Sequence, residues 1–246
     1  MELRDKVALL TGSTRIGHTV ALKLAEAGAD VALTYHRSQD TAEQTVQEIE
    51  SRGRRAVAIQ TDVSQSDQVS ALVEQTRAAL GGIDVLIYMA SRYQKRVYGD
   101  LTEADWDRHL GVDLKGAYLC ARGCEESMKA RGGGRIINFT DWVAASGRPR
   151  YKGYLAYYVA KCGVIGLTQA LALELAQYNI LVNCIAPGPI LSPPGITPEE
   201  DAEVRAATPL GRWGGAEEIA KIVLALIQSD FITGECIRVD GGRHVY

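Results

Sequence analysis

The chain has 246 residues, 46% of them hydrophobic and 23% charged, with 27 Lys and Arg against 30 Asp and Glu. That composition supports a full-sized apolar core and excludes disorder, a collagen-like chain and a small disulfide-stapled scaffold. A net charge of −3 offers no basic field for nucleic acid and no polybasic membrane anchor. The tightest basic run, Arg52, Arg54 and Arg55 around Gly53, reads as a solvated helix end.

No stretch reaches the ~18–20 continuous apolar residues of a membrane span. The opening residues, MELRDKVALLTG, read as a first strand entering a glycine turn, because a leader needs a longer apolar run and a small-residue cleavage site. Short β-branched runs then alternate with helical periodicity, the βαβ pattern that builds a parallel sheet. After a strand at 7–10, a helix puts Ile16, Val20, Ala21, Leu24 and Ala25 on one face and stops at Gly28. Strands are predicted at 31–35, 57–60 and 84–88, separated by a polar helix at 40–52 and a helix at 66–80 that ends at Gly81-Gly82. One long helix is predicted from Thr102, with Asp105 as a capping-box-like partner, to the glycines at 132–134.

A strand at 135–140, a second long helix at 154–177 and a strand at 180–186 follow. The Pro- and Gly-rich stretch 187–198 reads as a loop, before a small helix near 198–206, a last helix at 216–228 and a last strand at 236–240. No linker, repeat or shift in composition divides the chain. The expectation is one domain over 1–246: an α/β, doubly wound, Rossmann-like parallel sheet of about seven strands with helices on both faces.

Cys120, Cys124, Cys162, Cys184 and Cys236 form an odd, scattered set. Cys120 and Cys124 lie a helical turn apart, but no second pair or His cluster completes a zinc site, so no metal is expected. They read as buried thiols of a reducing cytoplasm.

The first strand meets the first helix at Thr11-Gly12-Ser13-Thr14-Arg15-Ile16-Gly17. Glycines there let backbone approach a pyrophosphate, and the helix N-terminus adds amide donors and a positive dipole end. A plain strand-to-helix turn has a similar sequence; the position at the first βα junction favours a dinucleotide. The second strand ends in Tyr35-His36-Arg37-Ser38, without the acid that would bond the ribose hydroxyls of NAD. Arg37 suits the extra phosphate of NADPH, Ser38 can add a hydroxyl, and Arg15 can assist. Asp62-Val63 suits an acceptor for the adenine amine, or simply a turn. Tyr157 and Lys161, four apart, share a helix face. A cation beside a phenol lowers its pKa, which suits an acid that protonates a substrate as hydride arrives.

With these landmarks, Ala90 after the fourth strand, NCIAPGPI at 183–190, Thr233-Gly234 and VDGG at 239–242, the whole chain resembles the short-chain dehydrogenase/reductase family. The resemblance implies Tyr157 as general acid and Lys161 on the nicotinamide ribose, depressing the tyrosine pKa. It implies a cofactor site made by Gly12, Ser13, Ile16, Gly17, His36, Asp62, Val63, Ala90 and Ser91, with Pro187, Gly188 and Ile190 closing over the nicotinamide. The loop from 191 to about 210 would cover the substrate. The two long helices would pair between subunits, giving a homotetramer or homodimer.

The chain departs from the family pattern at four places. The glycine turn is a residue shorter, with Arg15 where the middle glycine falls, and Tyr88-Met89-Ala90-Ser91 replaces Asn-Asn-Ala-Gly. Asp113 replaces a structural Asn of the long helix, and Asp141 replaces the catalytic serine. Pteridine reductases within the family share the Asp, the Arg, Ala-Ser and a His-Arg-Ser like residues 36–38. That likeness implies Arg15 on the pterin and pyrophosphate, Tyr93 stacking the pterin on the nicotinamide, and Asp141 holding or protonating ring nitrogens. The plainer alternatives are a loop aromatic and a hydrogen-bond acceptor for substrate. Asp113 adds a charge able to pair with Lys161 and, with Tyr88-Met89, argues for slow turnover. The expected activity is NADPH-dependent reduction of a pterin-like C=N or a carbonyl. The alternatives are a ketone or 3-oxoacyl-[acyl-carrier-protein] reductase and, further off, a cofactor-binding pseudoenzyme.

Overall fold

The apolar runs pair as strands β1 (Val7–Thr11), β2 (Asp30–Tyr35), β3 (Ala56–Gln60), β4 (Val85–Tyr88), β5 (Gly134–Phe139), β6 (Ile180–Pro187) and β7 (Cys236–Val239). In this computed structural model, which describes residues 1–245, they form one seven-stranded parallel sheet in the order β3-β2-β1-β4-β5-β6-β7. The pleat sends alternate side chains to opposite faces. Ala8, Leu10, Leu33 and Ile87 therefore enter one core, and Val7, Leu9, Leu86 and Ile136 the other.

The helices are α1 (Ile16–Glu26), α2 (Gln39–Glu50), α3 (Ser66–Leu80), α4 (Glu103–His109), α5 (Gly116–Ala130), α6 (Trp142–Ala145), α7 (Leu155–Leu175), α8 (Pro198–Ala206) and α9 (Ala216–Gln228). The first core is closed by Val20 and Leu24 of α1, Ile49 of α2, and Ile219 and Val223 of α9. The second is closed by Leu72 of α3, Cys120 and Cys124 of α5, and Ala172 and Leu175 of α7. Because β1 pairs with both β2 and β4, the strand order reverses beside it and opens a crevice at the carboxyl ends of the strands.

The single long helix expected from 102 to about 130 is not continuous. It starts as expected, with Thr102 Oγ1 accepting from the Asp105 N–H at 3.1 Å. Between α4 and α5, however, residues 110–115 open into a π-helical turn. The buried Tyr88 hydroxyl donates to the Val112 carbonyl in that turn. Gly116 makes the approach possible, since a Cβ there would stand 2.2 Å from the Tyr88 oxygen. A side chain inserted into the helical ladder is a recognised cause of such a bulge. Tyr88 is thus a structural residue that shapes the helix, not a lost cofactor contact.

The helix expected at 154–177 runs as α7 and a 3₁₀ turn to Tyr178, where Asn179 adopts a left-handed φ of 58°. The segment Leu155–Tyr178, with a mean hydropathy of 1.4 in its most apolar window, is long and apolar enough to cross a membrane by length and composition. A search for unbroken apolar runs misses it because Lys161 and Glu174 punctuate it. One face packs on the second core, while Leu155, Val159 and Leu173 lie exposed. The cysteines are free thiols, but two of them are not scattered in space: Cys184 and Cys236 sit opposite each other in the β6–β7 register.

Candidate active site

The glycine turn closes tightly at its two ends. Gly12 has φ 87°, and a Cβ on Gly17 would lie 1.9 Å from the Gly12 carbonyl oxygen, so only glycine fits there. Ser13 is 2% exposed and its Oγ has no partner. A buried hydroxyl left unsatisfied beside a helix N-terminus fits a phosphate oxygen. Arg15 is exposed and lines the cavity over this turn; from a left-handed backbone its Nη2 donates to the Leu191 and Ser192 carbonyls at 3.2 and 2.9 Å, tying the turn to the loop after β6.

A cavity of about 1430 Å³ lies over the crevice and includes Gly12, Ser13, Ile16, Val63, Ala90, Pro187, Gly188 and Ile190 among its walls. His36, Arg37 and Ser38 stand exposed at its β2 end, and the chemistry of that end fits a 2′-phosphate. Asp62 accepts from the Ser64 N–H at 3.0 Å and the Ser64 hydroxyl at 2.7 Å, the geometry of a turn-forming Asp. Burial pushes its carboxyl up, but the Ser64 bonds win and hold it below its ordinary value.

At the other end of the cavity, β5 delivers Asp141 and α7 delivers Tyr157 and Lys161 on one face. Asp141 caps α6 by accepting from the Val143 N–H at 2.7 Å, and Tyr157 Oη donates to its other oxygen at 3.0 Å. Lys161 is 2% exposed; its Nζ donates to the Phe139 carbonyl at 2.9 Å and lies 3.1 Å from Asp113 Oδ1. Asp113, fully buried in the π turn, also accepts from the Ser91 hydroxyl and from the Arg92 N–H at 3.1 Å. Two departures from the family pattern, Ser91 and Asp113, therefore touch each other, and a third, Tyr88, braces the same turn. Behind them His109, 2% exposed, sets Nδ1 4.0 Å from Asp113 Oδ2, and burial lowers its pKa.

One electrostatic expectation is reversed. The net shift of Tyr157 is opposite in sign to the one expected from Lys161: burial, followed by the carboxylates of Asp141 and Asp113, pushes the phenol well above the ordinary tyrosine value. Burial likewise raises the Asp141 carboxyl, against the bonds from Val143 and Tyr157 that oppose it. The phenol and the carboxyl beside it thus both hold their protons more tightly than in water.

Tyr93 lies where an aromatic is expected, but its ring is stacked on Tyr154, with centroids 4.6 Å apart, and meets Tyr157 edge-on at 4.9 Å. Tyr151 and Trp142 extend this cluster. Tyr154, Tyr151 and Trp142 were not singled out from the sequence. The available signal was the density of aromatics in WVAASGRPRYKGYLAYY, residues 142–158.

A family profile described as enoyl-(acyl carrier protein) reductase matches residues 12–244. The chain is 37% identical over 246 residues to the 3-oxoacyl-[acyl-carrier-protein] reductase FabG of Staphylococcus epidermidis, covering 98% of this chain and 100% of the relative. Among solved structures it is similar to acetoin dehydrogenase from Enterobacter cloacae, with 39% identity, a TM-score of 0.87 and coverage of 98% and 96%. It is also similar to a blue fluorescent protein from a metagenomic library in complex with NADPH, with 33% identity, a TM-score of 0.91 and 99% coverage of both chains.

Proposed function

The chain belongs to the short-chain dehydrogenase/reductase family of NAD(P)-dependent oxidoreductases, and from that premise we propose that it uses NADPH to reduce a carbonyl, either a simple ketone or a 3-oxoacyl thioester. The observation that carries this is the Tyr157 hydroxyl, 3.0 Å from Asp141 and one helical turn before Lys161, on the wall of the large cavity. A phenol placed there can protonate a carbonyl oxygen as hydride reaches its carbon. Two of the relatives named above are a 3-oxoacyl-[acyl-carrier-protein] reductase and an acetoin dehydrogenase, and this supports carbonyl over pterin chemistry. NADPH over NADH rests on Arg37 and on the complex of the structural relative.

Gly12, Ser13, Ile16 and Gly17 would hold the pyrophosphate, Arg37 and Ser38 the 2′-phosphate, and Pro187, Gly188 and Ile190 the nicotinamide end. The cofactor supplies the hydride when bound. Tyr157 passes its proton to the oxygen of the carbonyl, whose carbon takes the hydride, so the product is the alcohol. Lys161, held by Asp113 and the Phe139 carbonyl, keeps a fixed positive charge beneath the site and stabilises the phenolate that forms. Asp141 orients the hydroxyl by accepting from it.

A pterin remains the second reading, because Asp141 next to Tyr157 can also serve a ring nitrogen. NADPH oxidation with a vicinal diketone, an acetoacetyl thioester and a dihydropterin separates the two. Turnover of the carbonyl compounds with the dihydropterin inert supports the proposal, and the reverse overturns it. Binding of NADPH with no oxidation across the panel would reveal a pseudoenzyme. We also propose that Tyr118 of α5 and Leu173 of α7, both exposed, meet a second copy; sedimentation as a monomer of 26.6 kDa would contradict this.

A further inference from the structure

The loops after β4 and β5 carry two basic segments, RYQKR at 92–96 and RPRYK at 148–152, which hold six of the 27 cations and no acid. The Arg96 N–H donates to the Gly153 carbonyl at 2.7 Å, so folding hooks the two loops together. Between them lies a second cavity of about 530 Å³, inside the size range of small-ligand pockets. Its walls are apolar and aromatic, with Val143, Leu155 and Val159 beside Tyr93, Tyr98 and Tyr154.

This cavity adjoins the catalytic one, since Tyr93, Tyr151, Asp141 and Tyr157 line both. Arg96, Arg150 and Lys152 are among its lining residues, and Asp141, beside Tyr157, is the only carboxylate among those described. Arg150 lies over the Trp142 ring at 5.3 Å, and Arg96 is 3.7 Å from Asp105. Lys152 is exposed. An apolar chamber with three cations and one carboxylate among its lining residues is matched by a molecule with an apolar body and an anionic end.

We propose that this second cavity holds the arm of the carbonyl substrate, an aryl or branched acyl group ending in a carboxylate or phosphate, with that anion at Arg96 and Lys152. The assignment rests on the carbonyl-reductase reading and names the substrate class it would act on. With its reacting carbonyl at Tyr157, such a substrate lays its body along Tyr93 and Tyr154 and carries its charge away from Asp141.

Calorimetric titration of the full chain with 2-naphthoate, 2-naphthyl phosphate and neutral 2-naphthamide tests this without needing turnover. The anions are expected to bind about tenfold more tightly than the amide at low salt, as two partly exposed charge contacts allow. Comparing the two anions shows whether the site prefers a carboxylate or a phosphate. The preference is expected to collapse in Arg96→Gln/Lys152→Gln and in the single Lys152→Gln variant. It is expected to persist in Arg148→Gln, whose side chain lies in the same loop but outside the cavity. Equal affinity for anion and amide, or an equal loss in Arg148→Gln, overturns the proposal. Anion preference without reduction of any carbonyl would leave this site standing and sink the reductase reading; turnover without the preference would do the opposite.

Discussion

Asp113 Oδ1 lies 3.1 Å from Lys161 Nζ in a pair whose side chains are 0% and 3% exposed. Removing one member of a buried pair strands the other, at a cost of about 3–5 kcal/mol. Asp113→Ala is therefore expected to lower stability to urea by that amount, while Asp113→Asn, which keeps an oxygen acceptor for Lys161, loses less. Because Asp113 is one of the anions raising Tyr157, Asp113→Asn should also move the alkaline limb of the kcat/KM profile to lower pH. An unmoved limb would show that Asp113 does not act on the phenol.

Tyr157→Phe removes the hydroxyl that meets Asp141 and leaves the glycine turn and Arg37 untouched. Loss of a positioned general acid costs about 10²–10⁴ in rate. The expected result is that fall in kcat, with the NADPH dissociation constant from fluorescence titration within about twofold of the parent. Equal loss of rate and affinity would contradict a purely chemical role.

Arg37→Gln tests cofactor choice. Hydrogen bonds to a charged group are worth about 1.5–3 kcal/mol, so the KM for NADPH should rise at least tenfold while that for NADH stays nearly constant. A similar rise for both cofactors would place Arg37 on the shared part of the dinucleotide.

Asp141 carries a pH signature of its own. Its pKa is raised in the folded chain above its ordinary value, chiefly by burial. The folded state therefore holds a proton that the unfolded state releases earlier. The contribution to stability is fully present below the unfolded pKa and is lost as pH rises through the folded one. Asp141→Asn should flatten the fall in stability across that window in urea titrations. An unchanged slope would show that Asp141 titrates normally.

The neutral phenol could not have been read from the Tyr157-Lys161 spacing. That spacing reports only that the two residues share a helix face, and the sign of the shift depends on Asp141 and Asp113, 16 and 44 residues before Tyr157. Nor does the turn motif report that Arg15 Nη2 bonds the carbonyls of Leu191 and Ser192, more than 170 residues on.

Apart from the π break between α4 and α5 and the short α6, local periodicity by itself determined the seven strands, most of the helices between them, the glycine turn and the Tyr157-Lys161 pair. Those features are written in spacings of two to four residues and need no distant partner. Tertiary structure alone decided that Tyr88, Ser91 and Asp113 converge on one π turn. It also set Tyr93 against Tyr154 and drew the two basic loops around a second cavity. These are contacts between residues far apart in the chain, and burial and charge act through space, not along sequence.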